Sequence, residues 1–107
     1  MDIKRGDIYY ADLSPVMGEE EGGIRTVLVI SNDNSKGTII IAAITSKQII
    51  DECTAVVPLN NGGLFPETIL LNHLRTIDKR RLKEFKSSLN PEQMQDVNKA
   101  LCISLGL

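Results

Sequence analysis

What most constrains this chain is where its aliphatic residues fall. Ile, Val and Leu come in short runs divided by Gly, Pro, Asn and Asp, and a helical period appears only near the end. Short apolar runs rich in β-branched residues and bounded by turn formers are strands. Ile8–Leu13 is the first expected strand, approached through Gly6-Asp7 and ended by Pro15. Met17–Gly23 is expected as a loop. Ile24–Ser31 is the second strand, and its nearly unbroken apolar run suits burial on both faces. Asn32–Gly37 has turn composition. Thr38–Thr45 forms the third strand, Thr54–Leu59 a weaker fourth halted by Pro58 and Asn60-Asn61-Gly62-Gly63, and Thr68–Ile77 the fifth.

The period then changes. Asn90 is placed to cap a helix, Pro91 fits its first position, and Gln93 can reach back to close a capping box. Met94, Val97, Ala100 and Leu101 recur at helical spacing, and Leu105-Gly106 is the expected end. A shorter helical turn is expected between Lys79 and Phe85. Strands followed by one helix, with no helices between them, exclude a doubly wound α/β fold. They point to a mainly β small barrel or sheet with a C-terminal helix.

With 107 residues the chain is read as one domain, residues 1–107, and folding covers roughly 65% of the unfolded surface. Trp is absent and only two Tyr and two Phe occur, so the core must be aliphatic. No apolar run reaches the ~18 residues needed to span a bilayer, and the N-terminus lacks the apolar stretch of a signal peptide. A cytoplasmic protein with no membrane partner is expected. The two cysteines, Cys53 and Cys102, sit among apolar residues and are expected to be buried thiols. With His73 as the single histidine, no zinc set is possible. Calcium-loop, HExxH, phosphate-loop and GxSxG patterns are all missing, so neither a metal nor a cofactor is expected.

Three stretches carry candidate chemistry. Gly18–Arg25 is a glycine-flanked loop that delivers Arg25 to the start of a buried strand, where a planar guanidinium suits phosphate. Alternatively, Arg25 pairs with Glu19, Glu20 or Glu21 as an ordinary solvated ion pair. Ala42–Lys47 ends an apolar strand with the hydroxyls of Thr45 and Ser46 and the ammonium of Lys47, a place where sheets build sites but also ordinary turns. Arg75–Lys86 holds six basic and two acidic residues, a local +4 inside a chain of net charge −2. Such a segment attracts nucleic acid or is simply a solvated face.

Taken in order, these stretches resemble the MazF/PemK toxin family. The resemblance is carried by Arg5-Gly6-Asp7-Ile8-Tyr9, Asp12-Leu13-Ser14-Pro15, Gly18 through Arg25, Val27-Leu28-Val29-Ile30, Ala42-Ala43-Ile44-Thr45-Ser46, Arg75 through Leu82, and Ile103-Ser104-Leu105-Gly106-Leu107. It implies an SH3-like small β-barrel of the plasmid-maintenance toxin type, shared by the CcdB and PemK groups. It also implies a homodimer and a cognate antitoxin partner. The implied activity is sequence-specific, metal-independent cleavage of single-stranded RNA, giving 2′,3′-cyclic phosphate and 5′-OH ends.

RNA supplies its own nucleophile, the 2′-OH, so the absence of a Ser or Cys nucleophile motif is consistent with this chemistry. The resemblance assigns Arg25 and Thr45 to the scissile phosphate, and Glu20 to proton transfer or loop ordering. Ser46, Lys47, Asn72, His73 and Arg75 are the implied RNA contacts. The chain also departs from the family pattern. Thr26 stands where Pro is usual, Glu21 where Gln is usual, Asn72 where many members carry an acid, and His73 where Gln is usual. The 33–37 loop is short. Asn72 cannot ionise, and strand alternation puts it on the face opposite His73 unless a bulge intervenes. Two other readings share the fold: a catalytically impaired binding module, and a gyrase poison of the CcdB type.

Overall fold

In the computed structural model, residues 2–14, 23–33, 36–46, 55–59 and 67–107 are described. The elements are β1 (Asp7–Asp12), β2 (Ile24–Val29), β3 (Thr38–Thr45), β4 (Val56–Leu59), β5 (Glu67–Asp78), a 3₁₀ turn (Lys79–Arg81), β6 (Leu82–Ser88) and α1 (Pro91–Leu105). The strands form one sheet in the order β4-β5-β3-β2-β1-β6, and every pairing is antiparallel. The sheet curls: Lys86 on edge strand β6 reaches Glu67 on β5, four strands away, at 3.2 Å. This is the expected mainly β small barrel with a C-terminal helix.

Alternation builds two cores on the two faces of this sheet. Tyr9, Ala11, Val27, Val29, Ile39, Ile41, Ile77 and Leu82 form one cluster with Ile3 and Leu13. Ile8, Leu28, Ala42, Ile44, Val57, Leu59, Ile69 and Leu71 form the other, and Val97 and Ala100 of α1 lie against it. Val27, Leu28 and Val29 have no exposed surface, as the unbroken apolar run of β2 requires.

The helix forms where its caps predict. Asn90 accepts from the Gln93 backbone N–H at 2.8 Å, and the Gln93 side chain accepts from the Asn90 backbone at 2.9 Å. Gly106 ends it in the left-handed region at φ 71°. The Arg5-Gly6-Asp7 motif joins the sheet to this helix. Arg5 donates to Ile30 O at 2.8 Å and to Asn98 Oδ1 at 2.6 Å, while buried Asp7 accepts from the Lys4 N–H at 2.9 Å and the Ser88 hydroxyl at 2.8 Å. Gly6 has φ 96°, and a Cβ there would lie 3.2 Å from Met94 Sδ, so the position requires glycine.

Two expectations need correction. The segment after Lys79 is helical only through Arg81 and continues as a sixth strand. Cys102 is exposed rather than buried, on the side of α1 away from Val97 and Ala100. Cys53 lies outside the described residues.

Candidate active site

Arg25 is the second residue of β2, half-buried and paired with Ala11 of β1. Thr45 is the last residue of β3, only 4% exposed, and pairs with the fully buried Thr68 of β5. The β2–β3 register matches Val27 with Ala43. The β2–β3 pairing ends there, and alternation puts Arg25 and Thr45, each two residues beyond that pair, on the face that holds Val27 and Val29. On that face Leu82, Ala11 and Arg25 form one cross-strand row, and Thr45, Thr68 and Pro58 form another. The adjacent row on that face is apolar, with Tyr9, Val27, Ala43, Leu70 and Val56. A guanidinium and a hydroxyl on the same face, both next to this apolar row, are the donor types that suit a phosphate.

Ser46 follows Thr45 directly and is exposed. Glu20 and Lys47 lie outside the described residues. Asn72 and His73 sit on a local irregularity of β5. Ala42 pairs with Leu74 while its neighbour Ala43 pairs with Leu70, so Leu71, Asn72 and His73 have no residue opposite them on β3. The Leu71 N–H bonds Ala55 O at 2.9 Å, keeping Leu71 in the core. Asn72 is exposed and His73 half-buried. The bulge lifts the alternation that would force these two side chains onto opposite faces.

The basic segment is largely engaged in building the protein. Arg75 donates to Leu13 O at 2.6 Å. Arg81 donates to Asp12 O at 3.0 Å and also to Ser14 O. The Leu13 N–H meets Gly23 O at 2.9 Å. Two guanidiniums thus hold the end of β1 just ahead of the strand that carries Arg25, and nothing in the spacing of the sequence announces this. Lys79 pairs with Asp33, and Lys86 with Glu67. The Arg80 side chain, the Arg80 backbone N–H and charge together draw the Asp78 carboxyl down to about 2. The Asp12 carboxyl is also lowered, first by the Ser14 backbone N–H and further by Arg81 and Lys83. Burial raises the Tyr9 phenol, with Asp7 and Asp2 adding to the effect.

Among the described residues no cluster of His, Cys, Asp and Glu could hold a metal ion, and no helix is long and apolar enough to cross a membrane.

Residues 4–105 match the family profile of the PemK-like, MazF-like toxins of type II toxin–antitoxin systems. The endoribonuclease MazF of Staphylococcus saprophyticus is 43% identical, an alignment that covers 98% of this chain and 92% of that protein. The crystal structure of MazF from Deinococcus radiodurans superposes with a TM-score of 0.86 at 23% identity, over 100% of this chain and 99% of that one. A mycobacterial endoribonuclease in complex with its cognate antitoxin gives 0.80 at 20% identity, over 98% and 96%. At such identities the two structural likenesses speak for the fold.

Proposed function

The chain belongs to the PemK-like, MazF-like toxins of type II toxin–antitoxin systems, and from that premise we propose that it is an endoribonuclease that cuts single-stranded mRNA in the cytoplasm without a metal. The observation that supports this reading is that Arg25 and Thr45 fall on one face of the sheet, each two residues beyond the Val27–Ala43 pair.

In the reaction, O2′ bonds to phosphorus as its proton leaves, the P–O5′ bond breaks, and O5′ takes up a proton. The products are a 2′,3′-cyclic phosphate and a 5′-OH. Negative charge gathers on the non-bridging oxygens in the transition state, and donors already in place stabilise it without reorganisation. Arg25 supplies a permanent charge with forked donors, and Thr45 supplies a hydroxyl whose rotamer is held by burial. Arg25 serves as an electrostatic donor because a guanidinium does not give up its proton near neutral pH. Glu20 is assigned to proton transfer or loop order, and Ser46, Lys47, Asn72 and His73 to the RNA strand. Arg75 is assigned to RNA through its hold on the end of β1.

A homodimer and neutralisation by a cognate antitoxin belong to the same reading. The curated relative is named as MazF, and a structural relative is seen with its antitoxin. Exposed Ile103, Leu105 and Leu107 offer apolar surface at the end of α1 for a protein partner.

The test is incubation of the purified chain with single-stranded RNA in EDTA, with mass spectrometry of the ends. Defined cuts with cyclic-phosphate termini are expected from the wild type, and none from Arg25→Ala or Thr45→Ala. Intact RNA from a folded protein, or DNA breaks on expression in place of RNA loss, would refute the reading and favour a binding module or a gyrase poison.

A further inference from the structure

Thr26, the residue that departs from the usual Pro, is held by its side chain. Its hydroxyl donates to Glu67 Oε2 at 3.4 Å, and the other carboxylate oxygen, Oε1, accepts from Lys86 Nζ at 3.2 Å. That ammonium lies 5.9 Å above the centre of the Tyr10 ring, and Tyr10 is the cross-strand partner of Thr26. The contacts close a ring through β2, β5, β6 and β1, over the face of the sheet that holds Ile8 and Leu28. The Glu67 side chain is 14% exposed. A carboxylate covered to that extent is held in place by its partners, because leaving it unpaired there is costly.

The ring lies on the face of the sheet opposite Arg25 and Thr45. Arg25 immediately precedes Thr26, and Glu67 immediately precedes Thr68, the cross-strand partner of Thr45. Strands β2 and β5 do not pair with each other, since β3 lies between them. Their relative position at this end of the sheet is therefore open to adjustment by side chains. A proline after Arg25 would fix the local backbone through its locked φ. Thr26 has no such lock, and the carboxylate of Glu67 supplies a substitute from across β3.

We propose that Glu67 is a positioning residue. Bridging Thr26 and Lys86, it sets the placement of Arg25 relative to Thr45 from the opposite face of the sheet. The proposal rests on Arg25 and Thr45 being the reactive pair. Its effect is on turnover more than on substrate binding, because small misplacements of a reactive pair weaken interactions made in the transition state.

Steady-state cleavage of a single-stranded RNA oligonucleotide tests it, with circular dichroism on every variant. Glu67→Ala is expected to lower kcat roughly tenfold with KM nearly unchanged. Glu67→Gln should recover only part of the loss, since its single amide oxygen can accept from Thr26 or from Lys86 but not from both. Thr26→Val should combine non-additively with Glu67→Ala, and in a Thr26→Pro background Glu67→Ala should cost less than about twofold. An unchanged kcat in folded Glu67→Ala, a loss confined to KM, or additive effects with Thr26→Val would overturn the proposal. Should Glu67→Ala not fold, the kcat loss of Thr26→Val and its non-additivity with the partial loss of Glu67→Gln carry the comparison. Cutting that survives Arg25→Ala and Thr45→Ala would instead overturn the underlying reading. Those two variants inactive, with Glu67→Ala fully active, would remove Glu67 alone.

Discussion

Thr45 and Thr68 face each other across β3 and β5, and both are buried, at 4% and 0% exposure. A cross-strand pair of threonines at a strand end holds each rotamer through its neighbour and through hydrogen bonding. Thr68→Val preserves shape and removes one hydroxyl. It is expected to cost about 1 kcal/mol in urea unfolding, the usual scale for a buried hydrogen bond. It should also slow RNA cleavage less than Thr45→Val does. Equal kinetic losses in the two variants would contradict a contact made by Thr45 alone, because the fully buried Thr68 can act only through its neighbours.

Arg75 and Arg81 hold backbone carbonyls at the end of β1. Arg75→Met keeps the apolar stem and loses the donor to Leu13 O. A charge-assisted bond of this kind contributes on the order of 2 kcal/mol, and that loss should appear as a lower urea midpoint at unchanged m. Cleavage should fall as well, because the end of β1 lies beside Gly23 and the start of β2. A cleavage defect with an unshifted midpoint would make Arg75 a direct RNA contact.

The Asp78 carboxyl is held at about 2, first by the Arg80 side chain and then by the Arg80 backbone N–H. An unfolded Asp titrates near ~3.9. The folded value is depressed, so the interaction adds stability above ~4 and loses it as the pH falls through about 2. The stability difference between wild type and Asp78→Asn should therefore shrink between those limits and be flat above them. An NMR titration of the carboxyl that places its midpoint near 4 would contradict this.

How much of the molecule could be read in advance depended on how local each cause is. The capping box of α1 is local, Asn90 with Gln93, the C-cap is the single residue Gly106, and together they mark its bounds correctly. Strands β1 to β5 show in their aliphatic runs. Strand β6 does not, because only Leu82 is buried and the remaining residues are exposed edge positions, all but Phe85 charged or hydroxylated. The types of Arg25 and Thr45 are legible, but that they fall on one face depends on the pairing of β2 with β3. The anchoring by Arg75 and Arg81 spans 62 and 69 residues of chain, and no local pattern encodes it.

The bulge of β5 holds the residues proposed for base recognition. Leu71, Asn72 and His73 have no partners on β3, and the exposed Asn72 stands next to the half-buried His73. Strand alternation no longer separates the two side chains, so both can serve one strand of RNA. Bases in single-stranded RNA are read by hydrogen bonds to their edges and by stacking. Asn72 offers both a donor and an acceptor, whereas an acid in its place only accepts when ionised. Asn72→Asp should therefore change which base is preferred beside the cut. The maximal rate at the best site should stay within about threefold, because losing a base contact acts first on binding. Sequencing the 5′ ends of RNA cut by the wild type, Asn72→Asp and His73→Gln provides the comparison. Identical end profiles from all three proteins would place base recognition away from this bulge.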